Sequence, residues 1–186
     1  MSVSRIHRFA AVLILAGVLG APVEASDGES VRKIDLNAIV ENGELDADVD
    51  VATSGVPTEA ALAALHESGF TTVVDLRGEH EKDGADSKSA VESQGMSYVA
   101  LPVTSRDDLS IENAKTLDAI IAEAKGPVLV HCGSGNRAGA LLALRASANG
   151  ATDEVALEVG RKAGMTRSEG VVSEKLTADK GAGKPD

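Results

Sequence analysis

The stretch Gly126-Pro127-Val128-Leu129-Val130-His131-Cys132-Gly133-Ser134-Gly135-Asn136-Arg137 reads as a turn, a short apolar strand, a glycine-rich loop and the opening of a helix. Gly126-Pro127 closes whatever precedes it, and Val128-Leu129-Val130 is the shortest and most apolar strand of the chain. A strand with no polar face is expected to be buried on both sides, at the centre of a sheet. Cys132, the only cysteine of the chain, then stands at the carboxyl end of that strand. A helix is expected from about Arg137 to Ala148, stopped by Gly150.

Outward from this centre, strand and helix signals alternate. Thr58 is placed to cap a helix carrying Ala61, Leu62 and Leu65 up to Gly69, and the β-branched run from Thr71 to Leu76 reads as a buried strand. A helix through Ala90 and Val91 stops near Gly95, and Tyr98 to Val103 is the next strand. Ser110 caps a helix from Ile111 that shows Leu117, Ile120, Ile121 and Ala124 at helical spacing. Thr152 caps a last helix from Asp153 to about Ala163. Alternation of this kind predicts an α/β fold with a mostly parallel central sheet covered by helices. Ligand sites in such sheets lie beyond the carboxyl ends of central strands, where Cys132 falls.

The ends read differently. Arg5, His7 and Arg8 precede an apolar run from Phe9 to Ala21, and Val23-Glu24-Ala25 supplies a small-residue cleavage site. This order predicts a signal peptide over residues 1–25, cut after Ala25, and hence a periplasmic or secreted protein. The run is too short to span a bilayer comfortably, so no stable membrane insertion is expected after cleavage. Residues 26–50 are polar and acidic, with one apolar patch at Ile34, Leu36, Ile39 and Val40 that either adds an edge element or stays mobile. Thr53 to Thr58 reads as a turn-rich lead-in. The folded domain is expected over residues 51–165, with a disordered polar tail over 166–186.

A formal net charge of −11 argues against nucleic-acid partners and against any highly anionic ligand drawn in from a distance. An anion site must therefore be local, made from backbone dipoles and a few cations. One cysteine cannot form an internal disulfide. His66, His80 and His131 share no ligand spacing, so no metal site is expected. Gly133, Gly135 and Ala138 fit a dinucleotide-binding fingerprint after a strand, but the required second strand with an acidic end is missing downstream. A serine nucleophile elbow fails because Asn136 stands where its second glycine belongs.

What remains is covalent chemistry at Cys132. N–H groups at a helix start favour an anion and lower a thiol pKa, so Cys132 is expected as a thiolate nucleophile. Gly133, Ser134, Gly135, Asn136 and Arg137 would bind the anion, with Arg137 holding two oxygens at once. His131 is expected to orient the loop from behind it rather than to act as a base. A cysteine that only packs does not account for the glycines and the arginine around it.

The segment His131-Cys132-x-x-Gly135-x-Arg137 resembles the signature loop of cysteine-dependent phosphatases of the protein-tyrosine and dual-specificity superfamily. Thr53-Ser54-Gly55-x-Pro57-Thr58, Gly69 to Arg77, Gly95-Met96-Ser97-Tyr98 and Pro102-Val103 are similar to the bacterial phosphatase-like branch whose domain is also found fused to beta-lactamase-like hydrolases. The resemblance runs from about Ala52 to Met165. It implies a dual-specificity-phosphatase-like fold, hydrolysis of phosphate monoesters through a phosphocysteine, no cofactor, and a phosphorylated small molecule or protein as substrate. It also implies a general acid on a loop upstream of the cysteine, where Asp107 and Asp108 stand. Asp75, beside Arg77, is the structural alternative, and Glu79, Glu81 and Asp83 read as a solvated charged loop.

Two departures bear on the chemistry. Four residues separate Cys132 from Arg137, where tyrosine phosphatases have five and many rhodanese-type sulfurtransferases four. Ala138 replaces the serine or threonine whose hydroxyl helps the thiolate leave. A sulfurtransferase carrying a Cys132 persulfide and a non-catalytic phosphate-binding module are therefore the alternatives.

Overall fold

In a computed structural model the described residues are 29–42, 45, 49–82 and 87–182. The signal peptide and cleavage site expected from the sequence lie outside them. Five strands form one sheet, β1 (Val31–Lys33), β2 (Val51–Ser54), β3 (Thr72–Asp75), β4 (Ser97–Ala100) and β5 (Val128–His131), in the order β1-β2-β5-β3-β4. Every pairing is parallel, with Ser54 and Asp75 both in register with His131. The central place expected for Val128-Leu129-Val130 is the one β5 occupies, and all four of its side chains are buried.

Among the described residues seven helices cover the sheet: α1 (Leu36–Asn42), α2 (Glu59–Glu67), α3 (Ser87–Ser93), α4 (Ile111–Glu123), α5 (Asn136–Ala148), α6 (Asp153–Lys162) and α7 (Glu169–Ala182). Their starts follow side-chain chemistry. Thr58, Ser110 and Thr152 each accept a hydrogen bond from the backbone N–H three residues on, at 3.2, 3.2 and 3.3 Å, which satisfies one otherwise orphaned donor per helix.

The alternating pleat divides the core in two. Val73 and Leu129 point toward Leu62 and Leu65 of α2 and Val91 of α3, together with Ile39, Phe70 and Met96. Val74, Val128 and Val130 point the other way, toward Ala114 and Leu117 of α4, α5, and Leu176 of α7. Helix α5 can cross α6 closely because Gly139 has no Cβ: one built there would lie 2.4 Å from the Met165 nitrogen and 2.7 Å from the Gly160 carbonyl oxygen.

Three boundaries differ from the expectation. The acidic segment supplies an edge strand, β1, and helix α1, so the fold begins before residue 51. Val51–Ser54 is a fully buried strand rather than a turn. Its polar half is satisfied internally: the Thr53 hydroxyl donates to the Ala163 carbonyl at 2.7 Å and the Ser54 hydroxyl to the Gly55 carbonyl at 2.7 Å. The disordered tail is corrected to helix α7, in which Val172 and Leu176, four residues apart, are both buried. Val171, partly buried, packs beside them, and this short apolar stripe docks an otherwise mostly polar helix.

Candidate active site

Parallel strands place the ends of β2, β3 and β5 along one edge, and the Cys132 loop crosses it. The loop is held from the β2 side by an antiparallel bridge between Gly55 and Ser134. Gly135 adopts φ +86°, a left-handed conformation open to glycine, and so turns the chain into α5. No side chain caps that helix, and its first N–H groups are spent on sulfur instead. Gly135 N–H donates to Cys132 Sγ at 3.2 Å.

Cys132 is 1% exposed. Burial pushes its thiol up, but the backbone N–H groups of Ser134, Ala138, Arg137 and Gly135 outweigh burial and the net shift is downward. Converging N–H dipoles on a buried sulfur favour its thiolate form over the thiol.

Arg137 projects from the first turn of α5 toward β3 and β4. Its Nη1 donates to the Val103 carbonyl at 2.9 Å and to Glu81 Oε2 at 2.8 Å, and its Nη2 to Glu81 Oε1 at 2.5 Å. Glu81 closes a short 3₁₀ turn, Glu79–Glu81, and also accepts the Gly78 N–H at 3.0 Å. The hydrogen bonds from Arg137 are the main reason its carboxyl is lowered to about 2. Glu81 is thus no member of a solvated loop, as the sequence suggested, but the fork that holds Arg137. The two are 56 residues apart, and nothing in local spacing links them. Gly78 permits the approach, since a Cβ there would lie 2.7 Å from Thr104 Cγ2.

Behind the loop lies a buried polar cluster. Asp75 accepts hydrogen bonds from Arg77 Nε at 3.0 Å and Nη2 at 2.9 Å, from the Arg77 backbone N–H at 2.9 Å, and from the Tyr98 hydroxyl at 3.2 Å. Burial raises the Asp75 carboxyl, and the Arg77 hydrogen bonds together with nearby positive charge bring it below its ordinary value. His131 Nε2 faces Asp75 Oδ1 at 3.6 Å. Burial is the largest influence on His131 and lowers it to about 4, so the imidazole is neutral near pH 7. With its conjugate acid lowered to about 4, the ring behind Cys132 is too weak a base to take the thiol proton, and it suits orientation instead.

The other expected residues fall as follows. Asp108 Oδ2 accepts the Thr104 N–H at 2.8 Å, the Ser105 N–H at 2.8 Å and the Thr104 hydroxyl at 3.1 Å. These bonds close a turn and hold its carboxyl below the ordinary value, with the Thr104 N–H foremost. Asp107 projects outward, its side chain 98% exposed and 3.7 Å from Lys175 Nζ. Asn136 uses its side chain as a brace: Oδ1 accepts the N–H groups of Thr166 at 2.8 Å and Arg167 at 2.7 Å, and Nδ2 donates to Ser168 Oγ at 2.6 Å. Gly133 and Ser134 are exposed, and Ala138 is buried. Among the described residues no group of His, Cys, Asp and Glu is arranged to hold a metal ion.

Residues 24–178 match the family model described as DSP-PTPase phosphatase fused to NAD+ kinase. The Beta-lactamase hydrolase-like protein of Agrobacterium fabrum is 32% identical over 101 residues, which are 52% of this chain and 23% of that protein. The chain thus spans about a quarter of the length of that relative. Among solved structures, the nma1982 protein of Neisseria meningitidis z2491 superposes with a TM-score of 0.60 at 24% identity, over 73% of this chain and 98% of that one. Tk-PTP in its active form superposes with a TM-score of 0.53 at 25% identity, over 70% and 94%. The matched span takes in β1 and most of α7 as well as the Cys132 loop, and the chain belongs to the DSP-PTPase phosphatase family described as fused to NAD+ kinase.

Proposed function

We propose that this chain hydrolyses phosphate monoesters through a phosphocysteine at Cys132. The observation that carries the reading is the sulfur itself, buried, lowered in pKa, and under the N–H groups of Ser134, Gly135, Arg137 and Ala138. The thiolate attacks phosphorus, an S–P bond forms, and the ester P–O bond breaks. Arg137 and the loop N–H groups from Gly133 to Arg137 stabilise the equatorial oxygens as charge builds on them. A carboxyl of the loop before α4, Asp107 or Asp108, protonates the departing oxygen. The same carboxylate then takes a proton from the water that attacks the phosphocysteine. The S–P bond breaks, inorganic phosphate leaves and the thiolate is restored.

Export belongs to the same proposal. The charged start, apolar run and cleavage site of residues 1–25 support it. Expression with its own leader should yield an exported protein beginning at Ser26, and retention of the uncut chain in the cytoplasm would overturn this part.

The deciding experiment is release of phosphate from phenyl phosphate, run beside sulfur transfer from thiosulfate to cyanide, each repeated with Cys132→Ser. Phosphate release that disappears in the variant is the expected result. Cysteine-dependent thiocyanate formation would instead identify a sulfurtransferase, and saturable phosphate binding without either turnover would identify a binding module.

A further inference from the structure

A cleft of about 510 Å³ lies beside the Cys132 loop, and its lining includes Lys33, Asp35, Asn37, Gly55, Val56 and Thr58. It opens on the same edge of the sheet as the nucleophile. β1, β2 and β5 run parallel, Lys33 is in register with Thr53 and Ser54 with His131, so Lys33, Gly55 and Cys132 all sit at carboxyl ends of neighbouring strands. The cleft and the loop share a wall at the Gly55–Ser134 bridge, where a Cβ on Gly55 would lie 3.3 Å from the Gly133 carbonyl oxygen.

Lys33 connects the two. A Cβ on Gly164 would meet Lys33 Cδ at 2.7 Å, and one on Gly135 would meet Lys33 Cε at 3.5 Å. The stem therefore lies along two glycines, with its Cε beside Gly135, the residue that donates to Cys132 Sγ. Lys33 is exposed and makes no ion pair or side-chain hydrogen bond among the described residues. Arg137, by contrast, is held by Glu81. Asp35 also lines the cleft, but its Oδ1 accepts the N–H groups of Asn37 at 2.9 Å and Ala38 at 3.4 Å and so caps the start of α1. In a chain of net charge −11, an unpaired ammonium beside a phosphate cradle is a local attractor for a second anion. Among the described residues no aromatic side chain lines the cleft, so none of them would stack on an aryl ring.

We propose that this cleft receives the far end of the substrate, and that the substrate is a small phosphate monoester bearing a second anionic group. Lys33 meets that group, a carboxylate or another phosphate, while Cys132 engages the reacting phosphorus. The proposal rests on the cysteine-phosphatase reading and names its substrate class.

Glycerol 3-phosphate and 3-phosphoglycerate test it, because they differ only in a hydroxymethyl group against a carboxylate. With the mature chain, two readouts are taken: kcat/KM for phosphate release, and protection of Cys132 from iodoacetate, which needs no turnover. 3-Phosphoglycerate should be preferred in both, and Lys33→Gln should reduce that preference about 3- to 5-fold, as expected for a partly exposed ion pair. Lys33→Glu should reduce it further. No preference in the wild-type chain, or the same preference in both variants, overturns the subsite. If neither compound is hydrolysed but protection still shows the Lys33-dependent preference, the subsite stands and the phosphatase reading falls.

Discussion

On the β3 and β4 side of the Cys132 loop, Arg137 is held by Glu81 and Arg77 by Asp75, whereas on the β1 and β2 side the loop packs against Gly55 and the stem of Lys33. The first flank is a set of paired charges that fixes where the arginine fork points. The second is built from residues with little or no side chain, which let backbone and a lysine stem come close and leave an ammonium unpaired. A loop that must bind a phosphate needs both: rigid aim on one side and space on the other.

The comparison can be broken from the charged flank first. Arg137→Lys keeps a positive charge but loses the planar fork that matches Glu81 and phosphate oxygens. Its kcat/KM on phenyl phosphate should fall about 1000-fold, or about 4 kcal/mol. A loss below tenfold would mean that the loop N–H groups alone carry the charge. Next, Asp75→Asn leaves the Arg77 guanidinium buried without its carboxylate, and urea unfolding should show a loss of about 3 kcal/mol. Because the folded Asp75 carboxyl lies below its ordinary 3.8, its contribution is present above that value. It is lost as pH falls through the lower folded pKa. An unchanged midpoint in Asp75→Asn at pH 7 would remove the pair from the account of stability.

The glycine flank is tested by Gly135→Ala. At φ +86°, with Ser54 O 3.4 Å from the added Cβ, the substitution should destabilise by about 1–2 kcal/mol. It should also raise the pH at which iodoacetamide alkylates Cys132 half-maximally, since the N–H on sulfur is displaced. An unshifted alkylation profile would mean that the other three N–H groups suffice.

The smallest effect is expected from Glu81→Gln. Its side chain is 39% exposed, so thermal unfolding should report less than about 1 kcal/mol, while kcat drops more than stability does. The folded Glu81 carboxyl lies at about 2 against an ordinary 4.5, so its contribution holds above about pH 4.5 and fades as pH falls toward 2. The outcome that sharpens the comparison is a stability difference between the variant and the wild-type chain at pH 7 that narrows by pH 3 and closes only below about pH 2.

Legibility followed chain distance. Cys132, the glycines and the start of α5 are contiguous, and their pattern carries its own geometry. Thr58, Ser110 and Thr152 were legible as caps because a cap acts within three residues. Glu81 was not, because its partner is 56 residues away and its neighbours Glu79, Lys82 and Asp83 give it the look of any solvated turn. Val51–Ser54 was missed because its polar residues find partners, the Ala163 carbonyl among them, that only the fold brings near. Helix α7 was missed because Val171, Val172 and Leu176 among mostly polar residues make a weak stripe until a core is there to receive them.

The sequence by itself determined that strands and helices alternate, that β5 is central and that Cys132 ends it, because short-range patterning of apolar, β-branched and capping residues acts through local backbone preference. The tertiary structure alone decided which charge holds Arg137, which carbonyl receives the Thr53 hydroxyl, and that Lys33 reaches the Cys132 loop. Those outcomes depend on parallel strands bringing distant segments to one edge, where burial and Coulomb attraction between residues far apart in the chain select the partners.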